Sequence, residues 1–109
     1  MKTLARLGLV IVFATSAATG VFAQDAETGA FKAAGMDMMK KMGSVPYTGD
    51  PDVDFRTHMI PHHQGAIATA RVALEYAKDA ETKRLAQRII DAQEKEVSGM
   101  EAWLKNHGH

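Results

Sequence analysis

Apolar residues recur at every third or fourth position along three stretches of the chain, a spacing that predicts helices. In residues 30–42, Phe31, Ala34, Met38 and Met42 share one face, and Gly43 is expected to end the element. Residues 43–51, GSVPYTGDP, have no period of their own and read as a linker. Asp50-Pro51 then opens a second helix: an acidic N-cap is followed by proline at the first helical position, where its missing N–H costs nothing. Asp52 and Asp54 place negative charge in the first turn, where the helix dipole favours it. This helix is expected to reach about residue 77, with Phe55, Met59, His63, Ala66, Ile67, Ala70, Ala73, Leu74 and Ala77 in one stripe. Residues 78–81 break the period, and Asp79 caps a third helix to about residue 105. Its stripe holds Leu85, Ala86, Ile89, Ile90, Val97, Met100, Trp103 and Leu104.

No segment reads as a strand and no repeat is present. The pattern predicts one small all-α domain over residues 30–106: a short Met-rich helix and two long helices joined by a tight turn, hence antiparallel neighbours in a helical bundle. With one short helix, the far face of the long hairpin stays partly uncovered. Pairing two hairpins would complete a four-helix bundle, which makes a homodimer the expected assembly.

The first residues carry a different pattern. Lys2 and Arg6 precede an apolar run from Leu7 to Ala14, and Val21-Phe22-Ala23 has small residues where a signal peptidase reads them. Residues 1–23 are therefore expected to be a cleaved signal peptide that sends the protein to the periplasm, with residues 24–29 as a flexible N-terminus. The apolar run is short for a span of about 20 residues, so no stable membrane insertion is expected after cleavage.

Composition narrows the chemistry. The chain has no cysteine, so it can form neither a disulfide nor a thiolate ligand, and any soft donor must be methionine. Removing Lys2 and Arg6 from 13 basic residues leaves 11 against 13 acidic ones, a balance of about −2 that gives no electrostatic footprint for nucleic acid.

Candidate ligands crowd into residues 58–67, HMIPHHQGAI. His58 and His62 are separated by one helical turn, as are Met59 and His63, while Met59 and His62 are three apart, and each pair shares a face. Adjacent His62 and His63 diverge by 100°, so the cluster can serve an inward site with Met59, an outward site with His58 and Asp54, or both. Counting outward from Asp79 sets Met59 opposite Met100 and His63 opposite Glu96, which makes Met59, His62 or His63, Met100 and Glu96 the expected inner donors. Imidazole with thioether and no thiolate suits Cu(I), because soft sulfur prefers the soft cuprous ion. The outward set would instead suit Zn, Ni or Cu(II).

Other readings stand beside these. Methionines at helical spacing are commonly adaptable core filling, which competes with metal capture for Met38 and Met42. Met36 lies off the Phe31 face, and MDMMKKM (36–42, including Met39) is dense for filler. Gln93 and Glu96 fall in or near the third stripe, where a lone polar group is usually a hydrogen-bonded structural one. His107 and His109 in the tail read more readily as solvated than as ligands. Pro61 is the costly feature, since proline inside a helix removes a hydrogen bond at about 3 kcal/mol. A kink there would re-aim His58 and Met59 relative to His62 and His63.

The segments GDPDVDF, MIPHHQGAI (59–67), LAQRIIDAQEKEV (85–97) and MEAWL (100–104) resemble a bacterial domain-of-unknown-function family marked by an M-I-P-H-H-Q-G-A core. That family has a ferritin-like helical fold and includes exported copper-binding proteins of the CopM type. The resemblance implies that fold, export, and copper or silver binding. Its positions here are Met59, Pro61, His62, His63, Gln64, Gln93, Glu96 and Met100. Many relatives have a methionine in the turn where this chain has Ala68-Thr69-Ala70, which leaves the ligand number open. The expected function is sequestration or handover of Cu(I), the latter needing a copper-handling protein as partner. The alternative is a helical interaction module whose histidines are structural. An enzyme is not expected, because di-iron bundles use Glu-x-x-His pairs and no Glu in this chain is followed by His at that spacing.

Overall fold

A computed structural model describes residues 17–109 as three helices, α1 (Ala17–Ser44), α2 (Pro51–Tyr76) and α3 (Ala80–Asn106), with no strand among the described residues. Most of the expected leader lies outside the described residues. Residues 24–29, expected to be loose, are helical, because α1 begins before the first recognisable apolar stripe. Once the Met-rich segment is helical, each further residue adds a bond without the cost of nucleation, so a neighbouring stretch needs no packing to follow.

Capping chemistry sets the other ends. Asp50 caps α2, its carboxylate accepting the Asp52 N–H at 2.9 Å, with Pro51 at the first helical position. Asp79 caps α3 and accepts both the N–H and the hydroxyl of Thr82 at 2.8 Å. Only Ala77, Lys78 and Asp79 separate the two helices. From Arg56 to Arg71 the partners on α3 run backward: Arg56 lies over Trp103, His63 meets Glu96 and Arg71 meets Glu94.

The core lies between α2 and α3, where Ile67 and Ala70 bury against Ala86, Ile90 and Val97. Leu104 is also buried, in line with the apolar stripe of α3. The stripe of α2 fits less well. Phe55 is 62% exposed, while Val53, Pro61 and Gly65, outside the expected stripe, are buried. These three fall on one row at multiples of four residues. Gly65 in that row receives the side chain of Met38 from α1, so close that a Cβ at Gly65 would lie within 2.4 Å of its Cγ and Sδ. α2 therefore packs against both α1 and α3, and Gly65 in its second buried row meets a residue 27 positions earlier in the chain. α1 packs on α2, and its backbone does not approach that of α3 among the described residues.

The segment expected as an unstructured linker is fastened to α2. The Asp54 carboxylate accepts the Thr48 N–H and hydroxyl, both at 2.7 Å, and the Gly49 N–H at 3.0 Å. Gly49 adopts φ 89°, the left-handed conformation that glycine takes without steric cost.

Candidate functional site

The facing rows of α2 and α3 enclose a groove of about 400 Å³, lined by Arg56, Met59 and His63 from α2 and Glu96, Met100 and Trp103 from α3. On each helix the donors succeed one another at three- and four-residue steps, so consecutive turns deliver them to the same side. His63 closes one end. A carbonyl oxygen can only accept, so the His63 Nδ1–H donates to the Met59 carbonyl at 2.9 Å, which turns Nε2 toward Glu96 Oε2 at 2.5 Å. The His63 side chain is 14% exposed and that of Glu96 60%, so the pair is hydrated on its carboxylate side and contributes on the order of 1 kcal/mol or less.

Arg56 and Trp103 close the other end. The guanidinium carbon lies 3.8 Å from the indole centroid, and Arg56 Nη1 also donates to the Asp52 carbonyl at 2.8 Å. His107 stacks on the same indole at 3.9 Å, with its Nδ1–H donating to the Trp103 carbonyl at 2.7 Å. The thioethers of Met59 and Met100, both half-buried, line the groove between the two closures. Arg56 and Trp103 were not among the sequence candidates, although counting from the turn points to them: Arg56 lies 23 residues before Asp79 and Trp103 lies 24 after.

The two adjacent histidines separate as their helical angle requires, with ring centroids 6.0 Å apart. His62 is exposed and, with Met38 and Phe31, lines a second, largely apolar groove of about 400 Å³ beside α1. It is not part of the Met59–Met100 groove. Met36 and Met39 are 71% and 72% exposed, and Met42 is half-buried. The Met-rich segment therefore divides into packed and solvent-facing residues rather than gathering at one point. Gln64 is exposed, while Gln93 is half-buried with an Oε1 that has no hydrogen-bond partner among the described residues.

The expected outward set of His58, His62 and Asp54 is not assembled. His58 folds back on its own helix, its Nδ1–H donating to the Asp54 carbonyl at 2.8 Å, and its ring stacks on Tyr47 at 4.1 Å. Its Nε2 is buried without a partner among the described residues. Asp54 holds the loop: the Thr48 N–H foremost, then the Thr48 hydroxyl and the Gly49 N–H, keep its carboxyl below the ordinary carboxylate range against the opposing effect of desolvation. Among the described residues no three His, Cys, Asp or Glu side chains gather as a metal-holding group.

The profile of a family described as "Domain of unknown function (DUF305)" matches residues 52–109, a span that contains α3 and nearly all of α2. Among curated proteins, none matches the chain significantly.

Proposed function

The chain belongs to the DUF305 family, and from that premise we propose an exported binding protein for a soft monovalent metal ion, Cu(I) or Ag(I), held between α2 and α3 by Met59, Met100 and His63 with Glu96 at its edge. One observation carries the reading: two thioethers and an imidazole from two helices line a single groove in a chain that has no thiolate. The donor chemistry fits the ion, since neutral thioethers favour soft Cu(I). The Nδ1–H of His63 is held by the Met59 carbonyl, which leaves Nε2 as the nitrogen that would exchange Glu96 for the ion, and a hydrogen bond at the other ring nitrogen orients metal-binding histidines in this way. Glu96 lies where it would offset the charge of a bound cation.

The wider reading has the α2–α3 pair as an antiparallel hairpin of a ferritin-like bundle, periplasmic after cleavage of its leader, with two copies completing four helices. It is a binder rather than an enzyme, sequestering copper or passing it to a copper-handling protein.

Titration of the purified protein with Cu(I) against a chromophoric competitor tests the siting. Met59→Leu and Met100→Leu keep apolar volume and remove sulfur, and each should weaken binding about tenfold, equivalent to ~1.4 kcal/mol. His62→Ala should leave affinity unchanged. Undiminished affinity after joint replacement of Met59, His63 and Met100 would defeat the proposal.

A second reading is favoured by a separate observation. Both ring nitrogens of His63 already have partners, as they would in a purely structural residue of an interaction module. Under it, metal leaves stability unchanged.

A further inference from the structure

Trp103 borders the same groove as the two thioethers, and its indole is already covered by a cation. The guanidinium of Arg56 sits 3.8 Å from the ring centroid, and His107 stacks at 3.9 Å. The guanidinium occupies the ring face it lies over, so a further cation that reaches that face must displace it. His107 caps the C-terminus of the helix that carries Trp103 and is pinned to the Trp103 carbonyl. Arg56 comes from the other helix, and its Nη1 donates to the Asp52 carbonyl one turn earlier in α2.

Resting on the reading of this groove as a soft-metal site, we propose that Arg56 is a built-in competitor: its guanidinium holds the π-face of Trp103 in the metal-free protein, and a monovalent cation seated between Met59 and Met100 displaces it. The attraction of an indole face for a cation is electrostatic and does not distinguish guanidinium from a metal ion by shape. A positive charge is an unexpected neighbour for a cation site, and this competition gives it a role. Arg56 weakens retention, so that the protein loads when the metal is abundant and releases it readily when another binder takes it. Trp103 is thereby an affinity-determining residue, and Arg56 acts on affinity through it.

The test is competitive titration with Ag(I), a redox-stable soft cation, at high ionic strength, where long-range repulsion is screened. Arg56→Gln should bind Ag(I) about fivefold more tightly than wild type, the scale of one cation–π contact. Arg56→Lys retains a cation for the ring and should stay close to wild type. The gain from Arg56→Gln should shrink when Trp103→Leu is added, or Trp103→Phe if the leucine variant does not fold. Equal or weaker binding by Arg56→Gln, an equal gain in Arg56→Lys, or a gain that persists undiminished without the indole overturns the competition while leaving metal binding intact. Absence of Ag(I) binding in the wild type and every variant overturns both this proposal and the metal-binding reading.

Discussion

Two glycines inside helices illustrate how the same substitution takes opposite signs. Nothing lies within 4 Å of where a Cβ at Gly99 would stand, whereas at Gly65 a Cβ would meet Met38 Cγ and Sδ at 2.4 Å and its Cβ at 2.6 Å. Gly99→Ala therefore gains helix propensity without a clash, and should raise stability by about 1 kcal/mol. That corresponds to an increase in Tm of roughly 4–8 °C for a domain of this size. Gly65→Ala has the same propensity gain but must move the base of the Met38 side chain, which rotation about its terminal bonds cannot do. Overpacking of this kind costs about 1–3 kcal/mol, so the net effect should be destabilising. Denaturant unfolding of the two variants checks both signs, and hydrogen exchange in α1 should rise for Gly65→Ala alone. Pro61 obeys the same local logic. It is buried in the row that contains Gly65, α2 continues through it, and its ring fills space without a backbone donor. Pro61→Ala restores a hydrogen-bond donor and loses ring packing. Because the proline penalty is about 3 kcal/mol, the variant should be more stable, and a loss of Cu(I) affinity despite that gain would tie the proline to placement of Met59 and His63.

At the scale of elements, carboxylates fix where α2 and α3 begin. The Thr48 N–H lowers the Asp54 carboxyl foremost, and the Thr82 N–H does the same for Asp79, each from an ordinary value of 3.8. A group whose folded pKa is depressed stabilises the fold above its unfolded pKa and loses that contribution as pH falls through the folded value. The starts of both helices should therefore hold near pH 5 and weaken below about pH 4. An Asp54→Asn, Asp79→Asn double variant should lose less stability than wild type between pH 5 and pH 3, as read by urea midpoints followed by circular dichroism. The caps were legible in the sequence because capping is local: Asp50-Pro51 and Asp79 carry their meaning within a few residues. The facing of His63 and Glu96 was legible as well, since a three-residue turn makes counting from Asp79 a usable ruler. The same ruler reaches Arg56 and Trp103, which carry no metal-donor signature of their own. Two features had no local signature. Asp54 reads as a complement to the helix dipole, and only the folded loop reveals that it binds Thr48 and Gly49. Val53, Pro61 and Gly65 do not form a recognisable apolar stripe, and at Gly65 the cover is Met38 of α1.

Across the whole molecule, stability should be uneven in a way that bears on binding. The main core belongs to α2 and α3, whereas α1 rests on one side of α2 with Met36 and Met39 turned to solvent. Helices with few buried contacts open locally at lower free energy than the core, so amides of α1 should exchange faster than those around Ile67 and Ile90. The groove proposed to take the metal is lined by residues of α2 and α3. Metal should therefore protect these two helices first, with α1 following only to the extent that its support on α2 is steadied. A ligand that binds only the native state stabilises it by about 2.7 kcal/mol at a free concentration one hundred times Kd. For a domain of this size that is a rise in Tm of roughly 10–20 °C. The interaction-module reading expects no such rise, because a histidine already hydrogen-bonded on both nitrogens has nothing to gain from the ion. Thermal melts with and without Cu(I) separate the two, and Met59→Leu supplies the internal control: it leaves the His63–Glu96 pair in place while removing one sulfur. A Tm increase in the wild type that falls sharply in this variant assigns the stabilisation to the groove. An equal increase in both places the metal elsewhere, on the exposed methionines of α1 or at His62.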